Sequence, residues 1–386
     1  MKKYLLIASA ALLALAACTK VQEADVQQEI SFQVANAVQT KADAANTAAS
    51  PVKFTGKDFG VYSWHYDGET ASPVMVNEQV GLKGAEWRTL NNTYYWFKTG
   101  FLNFVSYAPY SEKSGPAVTE KSIAYTAYTV SDEDIMYADR AQNMTANVKT
   151  YNVNGVPTLF HHALAKLSFK VKVNFTEWTE KAESADAPAA TNGADAAQAA
   201  ENKTTWKVTL YNVTLKGHYG TGDLTLDLDR DGTFWTTTGW KPDTQKPAKD
   251  VVLFDDKDGK VLTTTPMDLY TGEDGKAQSF FVLPQTLVEK AQQLSVKFHI
   301  ETTQPNKDEQ GNNIVQNEDI EKIVDLKEIS SLAAWGMNQN IFYTICIKPT
   351  AIADPGTPDN PTDVIITFDP TLEDWEVITD DAVIQL

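Results

Sequence analysis

Cys18 carries the most specific chemistry in the chain. It follows Leu15-Ala16-Ala17 at the end of a stretch that begins with Lys2 and Lys3 and continues through the apolar run Tyr4 to Leu13. A short cationic start, an apolar centre and small residues at the end form a secretory signal, too short to remain as a membrane-spanning helix. Leu-Ala-Ala-Cys has the form of a bacterial lipobox, in which the thiol becomes thioether-linked to diacylglycerol and the new N-terminus is acylated. Each buried CH₂ contributes about 0.8 kcal/mol, so several acyl chains anchor stably. An ordinary cleaved signal with a chance cysteine is the plainer alternative. The chain has one other cysteine, and Cys18 stands where the motif needs it.

Other chemical groupings are weaker. Asp227, Asp229 and Asp231 alternate ahead of Gly232, the opening of an oxygen-ligand loop for Ca²⁺. The twelfth position is Thr238, so the bidentate glutamate is missing, and Asp231-Gly232 is equally a hairpin turn. His161-His162 invites a metal, but neighbours on a strand point to opposite faces. Cys346 lies in Ile341-Phe342-Tyr343-Thr344-Ile345-Cys346-Ile347 and reads as a buried, inert thiol. The tryptophans, Trp64, Trp87, Trp96, Trp206, Trp235 and Trp240 among them, could stack on sugars or fill cores. No Gly-x-Ser-x-Gly elbow, His-Glu-x-x-His pair or phosphate loop occurs. An enzyme is not expected, nor any cofactor or resident metal.

The elements around these residues are strands. Thr, Val and aromatic residues are frequent, and short alternating runs recur with turn residues between them. They include Phe59 to Tyr66, Val74 to Val80, Thr93 to Phe97, Phe101 to Ala108, Leu164 to Phe175, Thr205 to Leu215, Leu294 to Glu301 and Ile341 to Ile347. Many short strands with few helical patterns predict an all-β chain of two sandwiches. The predicted units are a signal peptide (1–17), a propeptide with the first strand and a cleavable loop (18–50), an N-terminal sandwich (51–156) and a C-terminal sandwich (157–350). The second sandwich carries a flexible insertion (180–201). A Pro-rich hinge (351–363) then leads to a last strand segment (364–386). A lone strand therefore sits at each end, Ile30 to Val34 and Val364 to Phe368, each attached through a loop. Such strands can leave a sheet or be supplied to another molecule. The net charge of −18 excludes nucleic acid as a partner.

The order of several segments resembles the fimbrillin family, the subunits of Bacteroidetes type V pili and related surface lipoproteins. They are the Leu15–Cys18 lipobox, Ile30 to Val34 followed by Thr40-Lys41-Ala42, Phe59-Gly60-Val61-Tyr62, and Phe104-Val105-Ser106-Tyr107-Ala108-Pro109-Tyr110. Next come Phe160-His161-His162-Ala163-Leu164-Ala165-Lys166-Leu167-Ser168-Phe169 and Ile366-Thr367-Phe368-Asp369-Pro370 with Trp375. The resemblance implies two tandem transthyretin-like β-sandwich domains with detachable N- and C-terminal strands. It also implies export to the cell outer membrane as a lipoprotein, removal of the first strand by proteolysis, and polymerisation by strand exchange into a surface pilus that supports adhesion. Family cleavage usually follows Arg. Here the position is Lys41, and no Arg lies between residues 1 and 87. The donor residues would be Val364, Ile366, Phe368, Trp375 and Val377. Partners would be other fimbrial subunits, the outer membrane through the lipid, and surface ligands of host or bacterial cells. The alternative is an uncleaved, monomeric outer-membrane lipoprotein that binds glycans or anchors a pilus.

Overall fold

The computed structural model describes residues 28–36, 52–53, 57–146, 149–150, 153–174, 177–179, 203–229, 239–271, 278–329, 332–349 and 364–373. Cys18, Lys41, Asp231, Trp375 and Val377 lie outside these residues, as do the 180–201 insertion and the 351–363 hinge. The described chain is all-β apart from one helical turn, Leu326–Ile329.

The N-terminal half is a sheet that closes on itself. Phe101–Ala108 pairs with Phe59–Asp67, which continues through Thr70–Lys83, Glu86–Thr89, Phe32–Asn36 and Val156–His162 to Met136–Ala138. That last strand pairs back onto Phe101–Ala108 through Tyr107 with Tyr137 and Ala108 with Met136. Closure leaves no free edge among these strands, which removes a template for unwanted pairing. Gly68 and Gly84 supply the positive φ of the two-residue hairpins that join the second, third and fourth strands of this path. Phe59, Val61 and Ser63 point inward and are buried, together with Met75, Leu102, Phe104 and Phe160.

The C-terminal half is a sandwich. Ala165–Val173 alternates buried and half-buried residues without a break and runs parallel to Gln339–Pro349. Across the core, Lys203–Lys216 pairs with Gln293–Lys307. The alternation of Trp206, Val208 and Leu210 would turn the following residues outward, but the register shifts between Leu210 and Asn212. This bulge keeps Val213 and Leu215 in the core.

A third layer joins the halves. Ser122–Thr129 pairs with Thr221–Asp227, and Ala117–Val118 and Trp240–Pro242 flank them. This sheet covers Val105, Tyr107 and Tyr137 on the outer face of the ring and contributes Ile123, Leu224 and Leu226 to the same cluster. Trp240 Nε1 donates to the Ala163 carbonyl at 2.7 Å.

Three expectations change. Thr93 to Phe97 is not a strand; only Tyr95 bridges, to Glu29. Asn313–Asp325 is a long strand of which alternation in the sequence indicated only the end, from Ile323, the rest being set by its pairing with Gln293–Lys307. Cys346 is half-buried rather than buried, because Ile341, Tyr343, Ile345 and Ile347 occupy the core face and parity turns the thiol outward.

Candidate assembly site at the terminal strands

The first strand is a structural member of the ring. Phe32–Asn36 runs parallel to Val156–His162, with Phe32 opposite Val156 and Asn36 opposite Phe160. On its other side Phe32 pairs with Trp87. Just ahead of it, Ile30 N–H donates to the Tyr94 carbonyl at 2.9 Å and Trp96 N–H to the Gln28 carbonyl at 3.0 Å. The ladder thus extends beyond the regular strand by switching partners at residue 31, and the strand proper starts later than Ile30. Ile30 is 1% exposed and Phe32 4%. Phe32 meets Phe59 and Phe104 edge-on, with ring centres 5.6 Å and 5.9 Å away. Gly155 sits against this strand at φ +136°, where a Cβ would approach Ser31 O and Gln33 N to 3.2 Å.

An ion pair pins the same strand. Arg88 reaches both Glu29 and Glu86. Hydrogen bonding to Glu86 raises the Arg88 pKa, burial opposes this, and the charges of Glu29 and Glu86 add to it. Sequence reasoning missed Glu29 and Arg88. The only local signal was that Arg88 is one of three arginines in the chain.

The last strand, Val364–Glu373, lies antiparallel to Gln339–Pro349 with ten consecutive register pairs, from Val364 opposite Pro349 to Glu373 opposite Asn340. Val364, Ile366 and Phe368 are all in this strand, opposite Pro349, Ile347 and Ile345. It forms one end of the sheet that also holds Ala165–Val173.

Other candidate residues serve structure. Asp229 pairs with Lys121 at 2.8 Å and with Arg140, which also holds Glu120. The Lys121 hydrogen bond holds Asp229 below the usual carboxylate range, and Arg140 assists. Asp227 Oδ1 accepts from Asp229 N–H at 3.1 Å, a turn contact. Burial alone would raise the Glu120 pKa, but hydrogen bonds from Tyr66 and Asn103 and the charge of Arg140 outweigh it and lower it. His161 Nε2 meets Asp139 at 2.8 Å, whereas His162 Nδ1 meets Asp134, so the adjacent imidazoles serve different carboxylates. Among the described residues, no three His, Cys, Asp or Glu side chains form a metal-holding group. Trp96, Trp206 and Trp240 are buried in the cores, and Trp64 and Trp87 pack against them half-buried. These five do not form a sugar-stacking face.

Closed and layered sheets with strand segments at both ends define an all-β architecture. The chain belongs to the fimbrillin-like family, whose profile matches residues 40–375. Membership carries a structural role in fimbriae or cell-surface adhesion, in company with other fimbrial subunits. Among solved structures, the chain is similar to a fimbrial protein from Bacteroides vulgatus at 15% identity and a TM-score of 0.48, over 90% of this chain and 99% of that one. A putative cell adhesion protein from Bacteroides uniformis matches at 15% identity and a TM-score of 0.39, over 90% and 99%. The fimbrial anchor protein Mfa2 from Porphyromonas gingivalis matches at 12% identity and a TM-score of 0.30, over 90% and 97%. No curated protein matches.

Proposed function

We propose that this chain is a pilus subunit that polymerises by strand exchange. It is exported as a lipoprotein on Cys18 and cut at Lys41, after which its first strand leaves. The vacated position accepts the last strand segment of a neighbour, with Val364, Ile366, Phe368, Trp375 and Val377 as donor residues. The two units predicted as 51–156 and 157–350 serve as its bodies, with Val156–His162 at their boundary pairing within the first. The observation that carries this reading is the placement of Phe32–Asn36 between Glu86–Thr89 and Val156–His162. Its departure opens a ring that otherwise has no edge, exposing unpaired ladder groups on both sides and an apolar slot where Ile30 and Phe32 sat. A strand of matching pattern satisfies both needs, since main-chain bonds supply affinity and alternate side chains supply fit.

The test combines Lys41→Gln with deletion of 364–386 in cells that display the wild-type protein. Wild-type material should show a new N-terminus at Ala42 and SDS-resistant, heat-labile ladders. Each variant should lose the ladders, and Lys41→Gln should also keep its lipidated N-terminus. Ladders that persist undiminished in either variant would sink the proposal. An intact N-terminus on wild-type protein would favour an uncleaved anchor instead.

A further inference from the structure

The chain enters the ring at one end, and that end carries an aromatic surface. The Gln28 carbonyl accepts from Trp96 N–H at 3.0 Å, Ile30 N–H donates to the Tyr94 carbonyl at 2.9 Å, and Glu29 bridges to Tyr95. The segment Tyr94-Tyr95-Trp96-Phe97-Lys98 thus lies against the point where the chain arrives from the direction of Cys18. Trp96 is buried and meets Phe104 edge-on, with ring centres 6.0 Å apart. Its neighbours face water: Tyr95 is 46% exposed and Phe97 44%. Among the described residues these two are the only exposed aromatic side chains, and the other exposed large hydrophobics are aliphatic.

This surface is held in shape. Phe97 stacks on His65 with ring centres 3.8 Å apart and planes 13° apart, and His65 Nε2 donates to the Thr99 carbonyl at 2.9 Å. Gly100 makes the turn at φ +73°, where a Cβ would lie 1.9 Å from the Tyr66 carbonyl oxygen and 2.8 Å from His65 Nε2. The carboxylates bonded to this segment and its strand are already occupied. Arg88 holds Glu29, and Glu78 accepts from the Tyr94 hydroxyl at 2.7 Å. Covering the aromatics therefore leaves neither of these charges without a partner. Exposed Asp67 and Glu69 stand at the adjoining hairpin tip, and with the net charge of −18 they disfavour an anionic surface.

Tyrosine and other aromatic rings suit a boundary that is apolar on one side and wet on the other, as at the headgroup level of a bilayer. Position decides between this occupant and a protein. Nine residues, 19–27, separate Cys18 from Gln28, and fully extended they span at most about 36 Å. A lipid on Cys18 therefore keeps the aromatic end of the ring beside the bilayer, at a roughly millimolar effective concentration. A contact too weak to form from free solution forms under that constraint.

We propose that Tyr95 and Phe97 seat this end of the ring on the interfacial layer of a zwitterionic bilayer while the chain is anchored through Cys18. The inference rests on the lipoprotein reading of Cys18. It also gives the anchored molecule an orientation. From Gln28 to Asn36 the chain runs roughly 26 Å along the ring, at about 3.3 Å per residue. Asn36, paired with Val52, therefore stands on the water side, and Lys41 follows it by five residues. Seating the aromatic end on lipid turns the start of the processing segment away from the membrane.

The test couples the chain from Cys18 onward, carrying Cys346→Ser to remove the competing thiol, to maleimide phospholipid. The vesicles are palmitoyl-oleoyl phosphatidylcholine and phosphatidylethanolamine. Chemical coupling makes the result independent of whether cells lipidate Cys18, which the mass of the N-terminal peptide from cells reads separately. Hydrogen exchange across residues 93–99 should slow about tenfold on these vesicles, relative to the same chain capped with N-ethylmaleimide and mixed with them. Exchange across residues 319–325 should not change. Tyr95→Ser combined with Phe97→Ser should abolish the slowing. A benzophenone side chain at position 97 should form adducts with phospholipid, whereas one at position 323, where Ile323 is 57% exposed, should not. Unchanged exchange with the native aromatics overturns the proposal, as does slowing that persists in the folded double variant. Adducts from position 97 to a second copy of the chain in place of lipid also overturn it. The first comparison alters nothing in the patch, so it decides alone should a variant fail to fold. A cell-derived N-terminal peptide without lipid would overturn the anchor reading, whereas unchanged exchange on the vesicles would overturn the contact.

Discussion

Replacing Phe32 with alanine should loosen the first strand from the ring. The side chain is 4% exposed and touches Phe59 and Phe104 edge-on, so truncation leaves a void bounded by two rings already held by their own strands. Buried Phe to Ala changes cost about 3–5 kcal/mol. Each lost edge-on pair adds about 0.5–1.5 kcal/mol beyond area, which places Phe32→Ala towards the upper part of that range. Phe32→Leu keeps most of the volume and should cost about 1.5 kcal/mol or less. The assay uses the full chain with a specific protease sequence inserted within residues 42–50. After cleavage, the first-strand fragment is held only by non-covalent contacts. Its dissociation constant should rise by roughly two to three and a half orders of magnitude in Phe32→Ala. Hydrogen exchange in Val156–His162, its parallel neighbour, should accelerate in step, while Ala165–Val173 in the sandwich should not change. Destabilisation under about 1 kcal/mol with full retention of the fragment would refute the view that this strand closes and fills the ring.

Two further outcomes follow from the junction. Arg140, whose side chain is 5% exposed, holds Glu120 and Asp229. Arg140→Leu should cost about 2–3 kcal/mol at neutral pH in urea unfolding, less than a fully buried pair because Asp229 is partly solvated. Both carboxylates have lowered folded pKa values, so the stability they contribute is present above their ordinary values of 4.5 and 3.8 and is lost as pH falls through the lowered ones. The gap between wild type and Arg140→Leu should therefore narrow in acid. His218 has a folded pKa of about 4 against an ordinary 6.5, so the unfolded chain takes up a proton that the buried ring refuses. Stability should be complete above about pH 6.5 and fall by on the order of 3 kcal/mol on descent to about pH 4. His218→Phe should abolish that part of the slope, as urea titrations across this range would reveal.

The sandwich was legible where local alternation and burial agree. Ala165 to Val173 shows its core face directly, because every second residue is apolar and the strand needs no irregularity. Residues 313–322 of the Asn313–Asp325 strand were hidden because their Asn, Glu and Asp content disfavours strand, while its end from Ile323 was legible. Its pairing with a long neighbour, Gln293–Lys307, decides its conformation. Ring closure was hidden for a different reason. Parallel pairing of residue 32 with residue 156 leaves no turn signal between them, only two separate apolar segments. At the candidate sites, the terminal strands were visible as isolated alternating runs. The commitment of Asp229 to Arg140 and Lys121 was not, since charge partners across a junction have no spacing rule. Nor was the stacking of Phe97 on His65 at the end where the chain enters the ring, which depends on a bulk-free turn at Gly100.

The two parallel pairings also set the order in which the molecule can assemble itself. Phe32 waits for Val156, and Ala165 waits for Gln339. Neither contact forms until long intervening segments have been made and loop-closure entropy has been overcome, which places the chain among slow, high-contact-order folders. During synthesis the first strand emerges early and then remains without its partner while the rest of the ring is made. Until residues 156–162 arrive, Ile30 and Phe32 lack the neighbours that bury them in the finished ring, so this segment is the last of the ring's apolar surface to be covered.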